Sequence, residues 1–322
     1  MLLKQQEIPF IKEDGRVLMM LKINNILILF VLIFAVAFIY HCDDKPINFN
    51  FSGRKVLYSN EFEGKRELIL LNLDTKEELK FDNFNEIGPT GFLLFHNGKN
   101  IFIDSYDVGS TGGVFIYDIL KDKKIEIDIH AKNNEMAGFT SVNIYDSNFY
   151  FASVNKIFAH SLYDFELVRK YTTDSLISKF SVYDNDIIAI VYNIFDDEHN
   201  GFRPSNIYLY DFKNKIRREI PYLSVLYGWS KDRKKLLFNS RGPKFLEYPS
   251  LAVKSMDAID KNSLEIYGQM NFVGNDEIIF AGFKKGGNHF EETNLYILNL
   301  ETEKIEQITN TNTPKEIKST DY

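Results

Sequence analysis

Asn294-Leu295-Tyr296-Ile297-Leu298-Asn299-Leu300 alternates apolar side chains up to a polar residue and then resumes with an apolar one. A two-residue period marks a strand with one buried face, and an Asn at its end sits where a strand gives way to a turn. The same pattern recurs as Leu68–Leu73, Val114–Ile119, Ile157–Leu162, Ile207–Phe212 and Leu251–Met256. Its polar member falls at Asn72, Asp118, Ser161, Asp211, Ser255 and Asn299, with spacings of 46, 43, 50, 44 and 44 residues. After most copies comes a charged turn, such as Thr75-Lys76-Glu77 or Thr302-Glu303-Lys304, and then another strand.

A second repeat precedes each copy. Ser52-Gly53, Asn97-Gly98, Asp146-Ser147-Asn148, Asp184-Asn185-Asp186, Lys231-Asp232-Arg233 and Gly274-Asn275-Asp276 each divide two apolar runs. Asn-Gly and related pairs supply the positive φ that tight hairpins require. Each unit of roughly 45 residues therefore holds about four strands, the size of a propeller blade. The expected fold over residues 51–322 is all-β: a six-bladed β-propeller of four-stranded antiparallel blades. The first unit starts at its second strand, Arg54-Lys55-Val56-Leu57-Tyr58, while the chain ends on Glu316–Tyr322, which reads as a first strand without a blade. Pairing the two closes the ring and removes open sheet edges.

Trp229-Ser230-Lys231-Asp232-Arg233-Lys234-Lys235-Leu236-Leu237-Phe238 resembles the Trp-Ser-Pro-Asp-Gly-Lys-x-Leu-x-Phe motif of TolB-type propeller repeats. Phe51-Ser52-Gly53-Arg54-Lys55-Val56-Leu57-Tyr58 is a shortened version, and Asn294–Leu300 running on to Gln307-Ile308-Thr309-Asn310 resembles the second half of the repeat. Lys231 and Arg233 stand where the motif has Pro and Gly, as in a diverged relative. The resemblance implies a fold and little about function, because repeats of this type serve binding proteins, peptidase accessory domains and some lyases. TolB carries an α/β domain before its propeller; here residues 42–50 form a short linker between a hydrophobic segment and blade one.

That segment spans residues 21–41, and within it Ile26–Tyr40 contains no charged or amide side chain. It has roughly the 20 residues with which a helix crosses a bilayer. Lys22 precedes the apolar run and Asp43 and Asp44 follow it, which by the positive-inside tendency puts the propeller outside the cytoplasm. Three fates fit: an uncleaved signal-anchor, a lipoprotein signal acylated at Cys42, or a cleaved signal peptide. Residues 1–20 are a cytoplasmic stretch or a leader ahead of a start at Met19 or Met20. Cys42 is the single cysteine, so no internal disulfide supports the fold. The net charge of −7, with both signs dispersed, argues against nucleic acid as a partner.

Within a blade, links between strands two and three share one face with the links between blades. On this face the sequence expects long loops at 105–113, 193–205, 241–249 and 284–293. Long loops on a rigid scaffold are the usual place for binding. Tyr106, Asp107, Arg203, Arg241, Lys244, Tyr248, Lys284, Lys285 and Phe290 supply basic and aromatic side chains suited to a protein, peptide or glycan. Trp229 is expected to pack between blades. His130, His199 and His289 lie on the same face, and their convergence on a divalent metal would instead describe a carbohydrate-active enzyme such as a polysaccharide lyase. No nucleophile elbow, His-Glu-x-x-His or phosphate-cradling loop occurs, so no catalytic residue and no cofactor is implied.

Overall fold

A computed structural model describes residues 47, 49–62, 65–81, 89–95, 98–105, 113–127, 141–164, 166–196, 201–288, 292–311 and 313–321. From residue 48 onward the chain forms one compact unit. It contains six four-stranded antiparallel sheets. Blade one comprises β24 (Lys315–Asp321), β1 (Lys55–Phe62), β2 (Lys65–Asn72) and β3 (Glu78–Phe81). Blade two is β4 (Pro89–Phe95), β5 (Asn100–Ser105), β6 (Gly113–Asp118) and β7 (Lys123–Ile127); blade three is β8 (Ser141–Tyr145), β9 (Asn148–Ser153), β10 (Lys156–Ser161) and β11 (Leu167–Thr172). Blade four follows with β12 (Ile177–Val182), β13 (Ile187–Asp196), β14 (Gly201–Asp211) and β15 (Ile216–Leu223). Blade five has β16 (Val225–Trp229), β17 (Lys235–Asn239), β18 (Pro243–Glu247) and β19 (Ala252–Ser255), and blade six β20 (Leu264–Phe272), β21 (Glu277–Lys284), β22 (Asn294–Asn299) and β23 (Ile305–Gln307). A single turn of helix, α1 (Ala258–Lys261), joins blades five and six.

The first strand of each blade touches the first strands of its two neighbours, so β24, β4, β8, β12, β16 and β20 form a closed ring around a central channel. Ring closure is the expected one: β24 pairs antiparallel with β1, from Lys55 opposite Asp321 to Asn60 opposite Lys315. Lys315 is buried, and its ammonium donates to the carbonyls of Thr293 (3.0 Å), Thr311 (2.8 Å) and Thr313 (3.0 Å) and to Thr313 Oγ1 (2.9 Å). A buried charge is tolerable only when hydrogen-bonded in this way. The same contacts tie the closing strand to blade six.

The core is divided among the blade junctions. Val56, Tyr58, Ile69 and Ile317 of blade one pack against Ile279, Ala281, Leu295 and Ile297 of blade six. Phe280, Tyr296 and Leu298 point the opposite way, toward Leu237 and Phe245 of blade five. A middle strand therefore buries both faces, not the single face that alternation implied, and β22 is buried from Asn294 through Leu298. Trp229 behaves as expected: it is 4% exposed and donates from Nε1 to the Ser181 carbonyl of blade four at 3.2 Å.

Blade five departs from the expected register. Leu251–Met256 falls on the fourth strand, β19, while the third strand is Pro243–Glu247. Arg241 (φ 50°) and Gly242 (φ 118°) make a tight turn in the left-handed region, and Pro243 occupies the first position of a strand, where its missing N–H is harmless. Residues 241–249 are consequently not a long loop. The length saved there reappears between blades five and six, as α1 and its flanks.

Candidate functional site

At the end of blades five and six where the two-to-three links lie, α1 bridges the junction. Ala258 and Ile259 are buried with Phe245, Met256 and Leu264, which anchors a helix too short to be stable alone. Around it the expected basic residues collect. Lys285 pairs with Asp260 at 3.0 Å, and the Lys284 ammonium reaches the Asn262 carbonyl at 3.5 Å. Lys244 on β18 approaches Ser255 Oγ at 3.4 Å, and Arg241 is exposed at the tip of the β17–β18 turn. The structure therefore brings Lys284 and Lys285 together on α1 and sets Arg241 and Lys244 at the adjoining blade.

Blade four contributes a projection. The outer neighbours of its central hairpin give out at Asn193, whose N–H donates to the Leu176 carbonyl just ahead of β12 (2.8 Å), and at Ser205, whose carbonyl accepts from the Ser224 N–H just after β15 (3.3 Å). Beyond them, among the described residues, Ile194–Asp196 has a strand partner only in Gly201–Arg203, a two-stranded ribbon extending past the blade. Residues 193–205, expected as a loop, are thus mostly strand. Arg203 lies on this ribbon opposite Ile194, and both are exposed.

Tyr248 is not on this face. It follows β18, at the end of blade five occupied by the tight three-to-four turn, and its ring lies 4.7 Å from Tyr183 and 5.8 Å from Trp229. The corrected register is the reason: a third strand running from 243 to 247 ends on the opposite side. There Tyr248 helps line a cavity of about 50 Å³ with Tyr210, Asp211 and Arg218, room for little more than a water molecule. Tyr106, Asp107, Phe290, His130, His199, His289 and Cys42, and the whole segment 21–41, lie outside the described residues. Among the described residues, no group of three or more His, Cys, Asp or Glu side chains is placed to hold a metal.

The channel carries features that no sequence motif announced. Five of the six first strands contain a β-bulge against their neighbour. The extra residues are Thr90 in β4, Ser178 in β12, Tyr227 in β16, Gly268 and Gln269 in β20, and Lys318 in β24; only β8 pairs without interruption. Bulges re-aim side chains that a regular pleat would send elsewhere. Successive bulges meet from blade four round to blade one. The Lys179 ammonium lies 5.8 Å from the Tyr227 ring centre, and Tyr227 donates to the Gly268 carbonyl at 3.5 Å. A Cβ on Gly268 would sit 3.4 Å from Glu316 Cγ, and Glu316 pairs with Lys318 at 2.6 Å.

Among solved structures, TolB from Acinetobacter baumannii superposes with a TM-score of 0.57 at 15% identity, covering 84% of this chain and 68% of that one. A TolB-type protein from Agrobacterium tumefaciens gives 0.55 at 10% identity, covering 84% and 99%. A chain of a nidogen–laminin complex gives 0.51 at 10% identity, covering 83% and 98%. No family model matches the chain, and no curated protein matches it. The fold is that of a TolB-like six-bladed propeller; at these identities the likeness extends to the fold alone.

Proposed function

We propose that this chain is a non-catalytic binding module, tethered to a membrane through residues 21–41 with its propeller outside the cytoplasm. Its partner is a protein, peptide or glycan engaged by the two-to-three link end of blades four to six. The observation that carries this reading is the blade-four ribbon. Three residue pairs extend past the sheet with no third strand among the described residues, and they expose Ile194 and Arg203. An isolated two-stranded ribbon is marginal in water, so a projecting one is better explained by something that rests on it. Arg241, Lys244 and Lys284 around α1 add a basic rim of the kind that steers association more than it sets affinity.

Charge reversal of Arg203, Arg241 and Lys284 together tests this. Full chain carrying these changes, crosslinked in intact cells, is expected to lose at least about tenfold of whatever partner the parent chain captures, equivalent to about 1.4 kcal/mol. Undiminished capture would remove this face as the site.

A further inference from the structure

We infer that the central channel holds an oxyanion site, separate from the two-to-three link face, in which Lys179 binds a carboxylate or phosphate group presented by a small molecule. Lys179 sits on β12, the innermost strand of blade four, directly after the bulged Ser178. Both faces of such a strand are covered by neighbouring blades, so the exposure that Lys179 retains opens on the channel. Among the described residues its ammonium makes no hydrogen bond and no ion pair; its only charge-related contact is the Tyr227 ring.

This arrangement is costly unless something completes it. A lysine walled in by protein normally finds a carboxylate or a set of carbonyls, as Lys315 does. Lys179 has neither, and burial pushes its ammonium down to about 8, a shift that Lys315 shares despite its carbonyls. Ser181 lies one pleat along the same strand face, with its hydroxyl buried, unpartnered among the described residues, and next to Gly228. A cation and a hydroxyl donor, both lacking acceptors, face the same row. The missing element is an acceptor with negative charge, and the ring of Tyr227 adds support to the cation. A small oxyanion fits these demands, whereas a second cation does not.

The test uses the full chain in detergent micelles, acetylated with a succinimidyl ester at pH 8 and mapped by mass spectrometry. At that pH an amine titrating near 8 has on the order of a hundredfold more free base than an ordinary lysine. Inorganic phosphate or succinate is added, against sodium chloride at matched ionic strength. At least about tenfold slower acetylation of Lys179, with other lysines unchanged, is expected with a bound oxyanion. Protection by phosphate alone assigns a phosphoryl ligand, by succinate alone a carboxylate, and by both a site open to either. No protection beyond that of chloride overturns the proposal. Lys179→Met gives a second reading: it should abolish any anion-dependent rise in thermal midpoint while leaving the anion-free midpoint unchanged or higher, since it removes an unpaired buried charge. A lower anion-free midpoint would make Lys179 a fold contact and would also overturn the site.

Discussion

At the scale of single residues, the polar position of the repeat does one job in five blades. Asn72 Oδ1 accepts from the backbone N–H of Asp74 (2.9 Å) and Thr75 (3.0 Å). Asp118 accepts from Lys121, Ser161 from Tyr163, Asp211 from Asn214, and Asn299 from Glu301 and Thr302. Each folds a short side chain back onto the turn that follows its strand, which is why Asn, Asp and Ser were legible there. Ser255 is the exception, because the Leu251–Met256 pattern belongs to a fourth strand and its hydroxyl meets Lys244 instead. A one-dimensional pattern does not distinguish a third strand from a fourth when both alternate. Asn72 carries more than its equivalents: it is fully buried, and its amide also donates to the carbonyls of Asn50 (2.7 Å) and Ser52 (2.9 Å). Asn72→Ala should therefore cost about 2–4 kcal/mol, since it strands several buried backbone groups. Asn299→Ala, in a half-buried turn, should cost about 1 kcal/mol. Urea unfolding followed by circular dichroism separates the two, and equal costs would contradict the distinction.

At the scale of elements, the hairpin turns and the closing strand were readable and the bulges were not. Gly98, Asp146 and Arg233 all adopt positive φ in the turns that Asn97-Gly98, Asp146-Ser147-Asn148 and Lys231-Asp232-Arg233 marked. A bulge adds one residue to one strand and leaves composition untouched, so Ser178-Lys179 or Tyr227-Gly228 reads like any strand interior. The channel site was invisible for that reason. The blade-four ribbon reads as loop in the sequence because its polar residues and Pro204 weaken the strand signal, although a ribbon outside the sheet tolerates both. For β24 the sequence argument and the packing agree, and they can be tested together. Ile317 is 0% exposed in the junction of blades six and one. Ile317→Ala should cost about 2–5 kcal/mol. Ile216 on outer strand β15 is 46% exposed, and its replacement by Ala should stay within about 0.5 kcal/mol. Similar losses at both positions in the same unfolding experiment would mean that ring closure does not depend on the C-terminal strand.

At the scale of the whole molecule, six blades held by their junctions place titrating groups where blades meet, and this sets the alkaline limit of the fold. Tyr58 lies in the junction of blades six and one and donates to Glu78 at 3.0 Å. Tyr192 and Tyr150 lie between blades three and four, donating to Tyr210 (2.6 Å) and Asn185 (2.7 Å). Burial first, with nearby acid groups adding to it, holds Tyr58 well above the usual phenol range; burial and the Tyr210 contact do the same for Tyr192. Above the unfolded phenol value of roughly 10, the unfolded chain sheds protons that the native chain retains, so stability falls as pH rises. Lys179 acts in the opposite sense. Its folded value of about 8, and the matching value of buried Lys315, lie below the unfolded value of roughly 10.4, so over that interval the unfolded chain binds the extra protons and stability rises with pH. The two windows are adjacent. The urea midpoint of the full chain should hold or climb from pH 8 to about 10 and then drop steeply. Lys179→Met should roughly halve the climb, because Lys315 still supplies its share, and leave the drop. Tyr58→Phe should soften the drop, at a cost near pH 7 of about 1 kcal/mol for the lost bond to Glu78. A midpoint that declines steadily from pH 8, or an alkaline drop unchanged by Tyr58→Phe, would show that the junction tyrosines do not govern this limit.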